Sequence, residues 1–101
     1  MSNKIRKLKS LRKKGYCPCC GYKTFNAEEY NTYQVCPICF WEDESLTETV
    51  IEKGGGANNV SLVQAQKNFK NIRAMEKQTK KLTRDPKKDE VQHQDWPWLI
   101  K

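Results

Sequence analysis

A chain of 101 residues has room for one domain, and only 37% of it is hydrophobic. So small an apolar core usually needs a staple, such as a metal or disulfides. The net charge of +7 disfavours strongly basic partners, and the lack of any run of about eighteen apolar residues excludes a membrane-spanning helix, so no membrane partner is expected.

The charge is unevenly distributed. Residues 1–16 carry seven Lys or Arg and no acid, residues 17–60 sum to −5, and residues 61–101 sum to +5. These are either solvated faces that keep a small protein soluble or two basic arms that meet an anionic partner. Within 1–14, Ile5, Leu8 and Leu11 form a narrow stripe on a basic helix, and Gly15 stands where a C-terminal cap belongs. Alone, this helix is too short to be stable in water, so its stripe is expected to dock on the rest of the chain or on a partner. The segment has no apolar h-region and no small-residue cleavage site, so it does not read as a secretory signal, and a cytoplasmic setting is expected.

The chain is organised around Cys17–Cys39, which reads C-P-C-C, fifteen residues, then C-P-I-C. Cys17 with Cys20 and Cys36 with Cys39 are two C-x2-C pairs, a spacing that suits a four-cysteine zinc site. Each pair is a compact turn that can place two sulfurs about 2.3 Å from one ion. Pro18 and Pro37 stiffen the turns, and Gly21 can take positive φ where the first folds back. Phe40 holds the matching place in the second pair, so that turn is expected to close differently, with its ring packed under the site. A disulfide framework would need an oxidising compartment. A thioredoxin-like dithiol would need a preceding strand and a following crossover helix, and a basic segment and a second cysteine pair stand there instead. Cys19 fits neither pair; it reads as a solvent-facing residue at the tip of the first turn, or as a spare thiol that exchanges with Cys17 or Cys20 or oxidises.

Between the pairs, Tyr22, Thr24 and Phe25 and then Tyr30, Thr32, Tyr33 and Val35 suit two strands joined by a turn at residues 26–29. The expected fold is therefore small α+β: a zinc-ribbon-like β-hairpin over 15–44 with two cysteine knuckles, a basic N-terminal helix and a C-terminal amphipathic helix. The aromatics of the hairpin are its natural core, with base stacking as the sharper alternative for one or two of them. After the last cysteine, Trp41 is expected to pack, while Glu42 and Glu44 read as ordinary solvated acids.

Residues 45–60 read as a glycine-rich connection with a flexible loop at 54–59, which is not a phosphate loop because no Gly-Lys-Ser/Thr follows. Ser61 to Gln64 fits a capping box, and Leu62, Ala65, Phe69, Ile72 and Met75 give one apolar face to a helix over 61–84, which Pro86 ends. A helix start behind a glycine loop can hold an anion. His93 reads as an exposed imidazole, since four cysteines already fill the ligand set. Trp96, Trp98, Leu99 and Ile100 in the 85–101 tail are expected to fold back onto the ribbon or else to enter a partner groove.

The runs at 15–24, 36–43 and 55–69 together resemble the bacterial cysteine-rich CPCC family. The resemblance spans 15 to about 73 and includes Cys19. It implies a zinc-ribbon-like module in small bacterial proteins, found beside toxin and immunity genes. The expected function is thus a non-catalytic module, stabilised by one structural zinc on Cys17, Cys20, Cys36 and Cys39, that docks on a partner protein such as a toxin or enzyme, possible inhibitor- or immunity-like roles included. The alternative is nucleic-acid binding by the basic ends. No catalytic residue and no organic cofactor is expected, because four thiolates leave zinc no open position.

Overall fold

The computed structural model describes residues 3–27 and 29–100; the expected turn at 26–29 includes Glu28, which lies outside them with Met1, Ser2 and Lys101. Helix α1, Asn3–Lys13, forms as its stripe predicts, with Ile5, Leu8 and Leu11 buried against the body of the protein. Each such side chain gains roughly 1.5–3 kcal/mol by leaving water, which a helix this short needs. Its end is tight: the Lys14 and Gly15 amides donate to Leu11 O and Arg12 O at 3.1 and 2.9 Å, and Gly15 takes φ +103° to reverse the chain.

Arg12 shares the buried side of α1. Its Nε and Nη2 donate to the two Asp43 carboxylate oxygens at 2.8 and 2.7 Å, and its guanidinium lies 4.2 Å from the Phe25 ring centroid. Asp43 also accepts from the Thr32 amide and hydroxyl at 2.9 and 2.8 Å. Burial pushes the Asp43 carboxyl up, but the Arg12 guanidinium and the Thr32 donors outweigh it and hold the group below its ordinary value. One acid just past the last cysteine therefore bolts α1 to the centre of the fold.

The ribbon hairpin does not form. Among the described residues there is no sheet, and the extended pairing is confined to the isolated bridges Tyr16–Lys23, Val35–Glu42 and Tyr22–Gln92. The reason lies in where the backbone groups go. The Lys23 amide is taken by Val91 O at 2.9 Å, and the Thr24 and Phe25 amides by Gly15 O at 3.1 and 3.0 Å. On the other side, Asn31 and Tyr33 sit at φ +60° and +61°, which breaks an extended run. Each cysteine turn pairs across its own base instead, and helices dominate the fold.

Residues 45–60 hold a short helix α2, Glu48–Glu52, with Thr47 Oγ1 accepting from the Val50 amide at 3.2 Å. The following glycine loop is pinned rather than free. Glu44, only 8% exposed, accepts from the Ala57 and Asn58 amides at 3.1 and 3.2 Å and from Asn58 Nδ2 at 2.7 Å. The Asn58 side chain in turn bonds both the amide and carbonyl of Glu42 at 2.8 Å. Helix α3, Leu62–Ile72, starts at the expected cap, Ser61 Oγ accepting from the Gln64 amide at 3.1 Å, but the Gln64 side chain turns to Asn68 rather than back to the cap.

The helix expected to reach residue 84 ends at Ile72, because Arg73 takes the left-handed conformation at φ +63°. The break lets the Met75 amide donate to Cys39 O at 2.8 Å while Asn68 Nδ2 holds Met75 O at 2.8 Å. A 3-10 helix, Lys77–Leu82, follows, and Lys80 Nζ caps the open carbonyl of Ile72 at 2.6 Å.

The tail folds back on the first cysteine turn. The His93 amide donates to Gly21 O at 2.9 Å, Gln92 Nε2 to Cys20 O at 2.8 Å, and Trp96 Nε1 to Cys19 O at 2.8 Å. His93 is not an exposed imidazole but a half-buried ring set edge-on between Tyr16 and Trp98, at 4.9 and 5.7 Å between centroids. Gly21, at φ +78°, lies so close beneath Trp96 that a Cβ there would meet the indole at 2.6–2.9 Å. Gly21→Ala should therefore cost about 2–4 kcal/mol, from left-handed strain plus overpacking. Urea unfolding followed by tryptophan fluorescence measures this, and an unchanged midpoint would contradict the contact.

Candidate metal centre

The two cysteine turns have the same construction. In the first, the Cys17 amide donates to Tyr22 O and the Gly21 amide to Cys17 O, both at 2.9 Å; in the second, the Cys36 amide donates to Trp41 O and the Phe40 amide to Cys36 O, both at 2.8 Å. The second turn thus does not close differently: Phe40 adopts φ +73° beside the +78° of Gly21. A non-glycine residue in that region is strained by about 1–2 kcal/mol, and here the turn's two hydrogen bonds and the half-buried Phe40 ring hold it in place.

The turns face each other and bring together the four predicted ligands. Cys17, Cys20, Cys36 and Cys39 are fully buried, and their sulfurs all lie within 4.8 Å of one another. Across the pairs, Cys17 Sγ is 3.6 Å from Cys39 Sγ and Cys20 Sγ is 3.7 Å from Cys36 Sγ. A tetrahedron with metal–sulfur bonds of about 2.3 Å has edges of about 3.8 Å, so the cluster has the dimensions of a four-thiolate site. It is far too open for disulfides, and all five cysteines are free.

Burial pushes the Cys17 and Cys39 thiols well up and Cys20 to about 11. Burial opposes ionisation of Cys36 too, but hydrogen bonding from the other three sulfurs and Thr24 draws its thiol well below the ordinary value. Four thiolates at this depth need a cation among them. Donors to sulfur already point inward: the Thr24 hydroxyl lies 3.2 Å from Cys36 Sγ, and the Trp41 amide donates to Cys39 Sγ at 3.4 Å. Such groups orient a ligand and moderate its charge. These residues can hold one metal ion.

Cys19 is not solvent-facing. It is fully buried, and its thiol donates to Ala65 O of α3 at 3.5 Å, outside the four-sulfur group. Because that contact needs only a small donor, Cys19→Ser should keep the full metal content and lose at most about 1 kcal/mol of stability. A lowered metal-to-protein ratio in that variant would place Cys19 among the ligands.

Several supports carried no signal in the spacing. Thr24 read as a strand former, and nothing in the pattern singled out Gln66. Gln66 is fully buried, its Nε2 donating to Pro18 O at 2.8 Å and its Oε1 accepting from the Leu99 amide at 3.1 Å, so α3 ties the first turn to the tail. The second turn is braced likewise, by Met75 on Cys39 and by the Arg84 amide on Pro37 O at 3.1 Å. In the glycine loop the Ala57 and Asn58 amides are taken by the Glu44 carboxylate rather than left for a ligand.

Two matched cysteine turns, meeting in one buried sulfur cluster and clamped by the segments after α3, define a small cysteine-rich protein with a candidate metal site. The profile of the family described as cysteine-rich CPCC matches residues 15–90, and the chain belongs to that family. The match runs past residue 73 to residue 90, stopping just short of the tail residues that strap the first turn, and leaves α1 outside. No curated protein matches the chain. Among the described residues, no helix is long and apolar enough to cross a membrane.

Proposed function

We propose that this protein is a non-catalytic binding module whose fold is held by one structural zinc ion on Cys17, Cys20, Cys36 and Cys39. The closed set of four buried sulfurs carries the reading. A catalytic zinc keeps one position for water or substrate, and a fourth thiolate fills it. Free thiols around a metal suit a reducing compartment, consistent with a cytoplasmic protein. The apolar tail is taken up by the fold, so the module meets its partner through charged surface rather than through the tryptophans.

Elemental analysis of the purified chain tests the metal: one zinc per chain is expected. A soft tetrahedral sulfur site also accepts iron, and one iron per chain, with a coloured protein, would overturn the zinc assignment. Because the cysteine thiols must lose their protons to bind, affinity should fall steeply as pH falls below neutrality. Metal release on acidification should coincide with loss of helical circular dichroism, and a fold that outlasts its metal would contradict a structural role.

A further inference from the structure

We propose that the outward face of α1 docks on the phosphate backbone of a nucleic-acid duplex. The inference rests on the binding-module reading and gives its partner a chemical class. Arg6, Ser10, Lys13 and Lys14 are exposed and Lys9 is half-buried; together they line a shallow open groove of about 430 Å³. Among the described residues, Lys4 pairs with Glu52, and Lys13 lies 6.0 Å from the Tyr30 ring centroid, while Arg6, Lys7, Lys9 and Lys14 form no ion pair.

The bland explanation, a solvated face, does not account for this pattern. A face kept for solubility mixes both signs. Here Arg6–Lys9 and Lys9–Lys13 are like-charge neighbours three and four residues apart, which destabilises a helix, and no acid stands in the first turn to complement the dipole. The concentration of cations works against the helix that carries it, and an anionic partner relieves that repulsion. The helix also lies outside the residues matched to the family, so the surface is an addition to the metal-site unit.

The form of the face favours a duplex. Arg6 to Lys13 spans about 10 Å along the helix axis, a length over which one strand of a duplex presents about three phosphates. Ile5, Leu8 and Leu11 all turn inward, so the face has no apolar residue to insert into a lipid surface. It equally lacks an apolar anchor with which to read a peptide.

The test is a fluorescence-anisotropy titration of the full-length, metal-loaded chain against a short labelled DNA duplex. If Arg6, Lys9, Lys13 and Lys14 neutralise about four phosphates, affinity should fall about a hundredfold between about 50 and 200 mM salt. The triple variant Arg6→Gln/Lys9→Gln/Lys13→Gln should flatten the salt slope by about three, with helical dichroism and metal content unchanged. A wild-type affinity insensitive to salt overturns the proposal whether or not the variant folds. So does duplex binding that survives in the folded triple variant, or tighter binding to phosphatidylserine vesicles or to polyglutamate than to the duplex. A wild-type chain that retains no metal would instead refute the zinc-held module, a result read from metal content alone.

Discussion

Cys36→Ser and Cys39→Ser should each abolish the fold at neutral pH. Cys39 has three ties that no other residue replaces: its sulfur in the cluster, the Trp41 amide on that sulfur, and its carbonyl held by the Met75 amide. Structural zinc contributes about 10–16 kcal/mol of apparent binding free energy, against a total stability of roughly 5–15 kcal/mol for a natural domain. Losing one thiolate of four should therefore bring the net stability near or below zero. The buried faces of α1 and α3 belong to the same apolar cluster as the four cysteines, so both helices should melt with the site. Circular dichroism and the metal-to-protein ratio report this together, and a helical, cooperatively unfolding Cys39→Ser chain would show that the apolar core suffices alone.

Arg12→Ala should have the next largest effect, about 3–5 kcal/mol, because it leaves the Asp43 carboxylate buried without its partner. Both side chains are 1% exposed, so water cannot substitute for the lost guanidinium. Arg12→Lys should rescue little, since an ammonium cannot repeat the two-pronged bond or lie flat on Phe25. The Arg12→Ala/Asp43→Ala pair should lose less than the two single changes combined. The pH sign follows from the depressed carboxyl of Asp43. A group whose pKa is lowered by folding stabilises above its unfolded value and loses that contribution as pH falls toward the folded one. Acid should thus weaken the wild type below about pH 4 more than it weakens Asp43→Asn. Denaturant midpoints across that range measure the difference, and parallel curves would contradict it.

What the sequence disclosed was local. The two C-x2-C turns are fixed by residues within a few positions, so the grouping of Cys17, Cys20, Cys36 and Cys39 was legible from spacing alone. The stripe of α1 and the Ser61 cap of α3 are equally short-range signals. The features that misled depend on distant partners. Tyr22, Thr24, Tyr30 and Val35 favour strands, yet Val91 and Gly15 take the amides that a hairpin ladder would have used. Arg73 is an ordinary helix former; only the Met75–Cys39 bond across the molecule shows why the chain must turn there. The contrast between Gly21 and Phe40 suggested two different turns, but the turn geometry imposes positive φ on whichever residue stands at that place. Cys19 and Glu44 look like surface residues until α3 and the glycine loop close over them.

X-ray absorption at the metal edge of the purified chain tests the central claim most directly. The account predicts a zinc edge and a first shell of four sulfurs at about 2.3 Å. A shell with fewer than four sulfurs, or with a nitrogen or oxygen ligand in place of one, would contradict the closed four-cysteine site and reopen a position for chemistry.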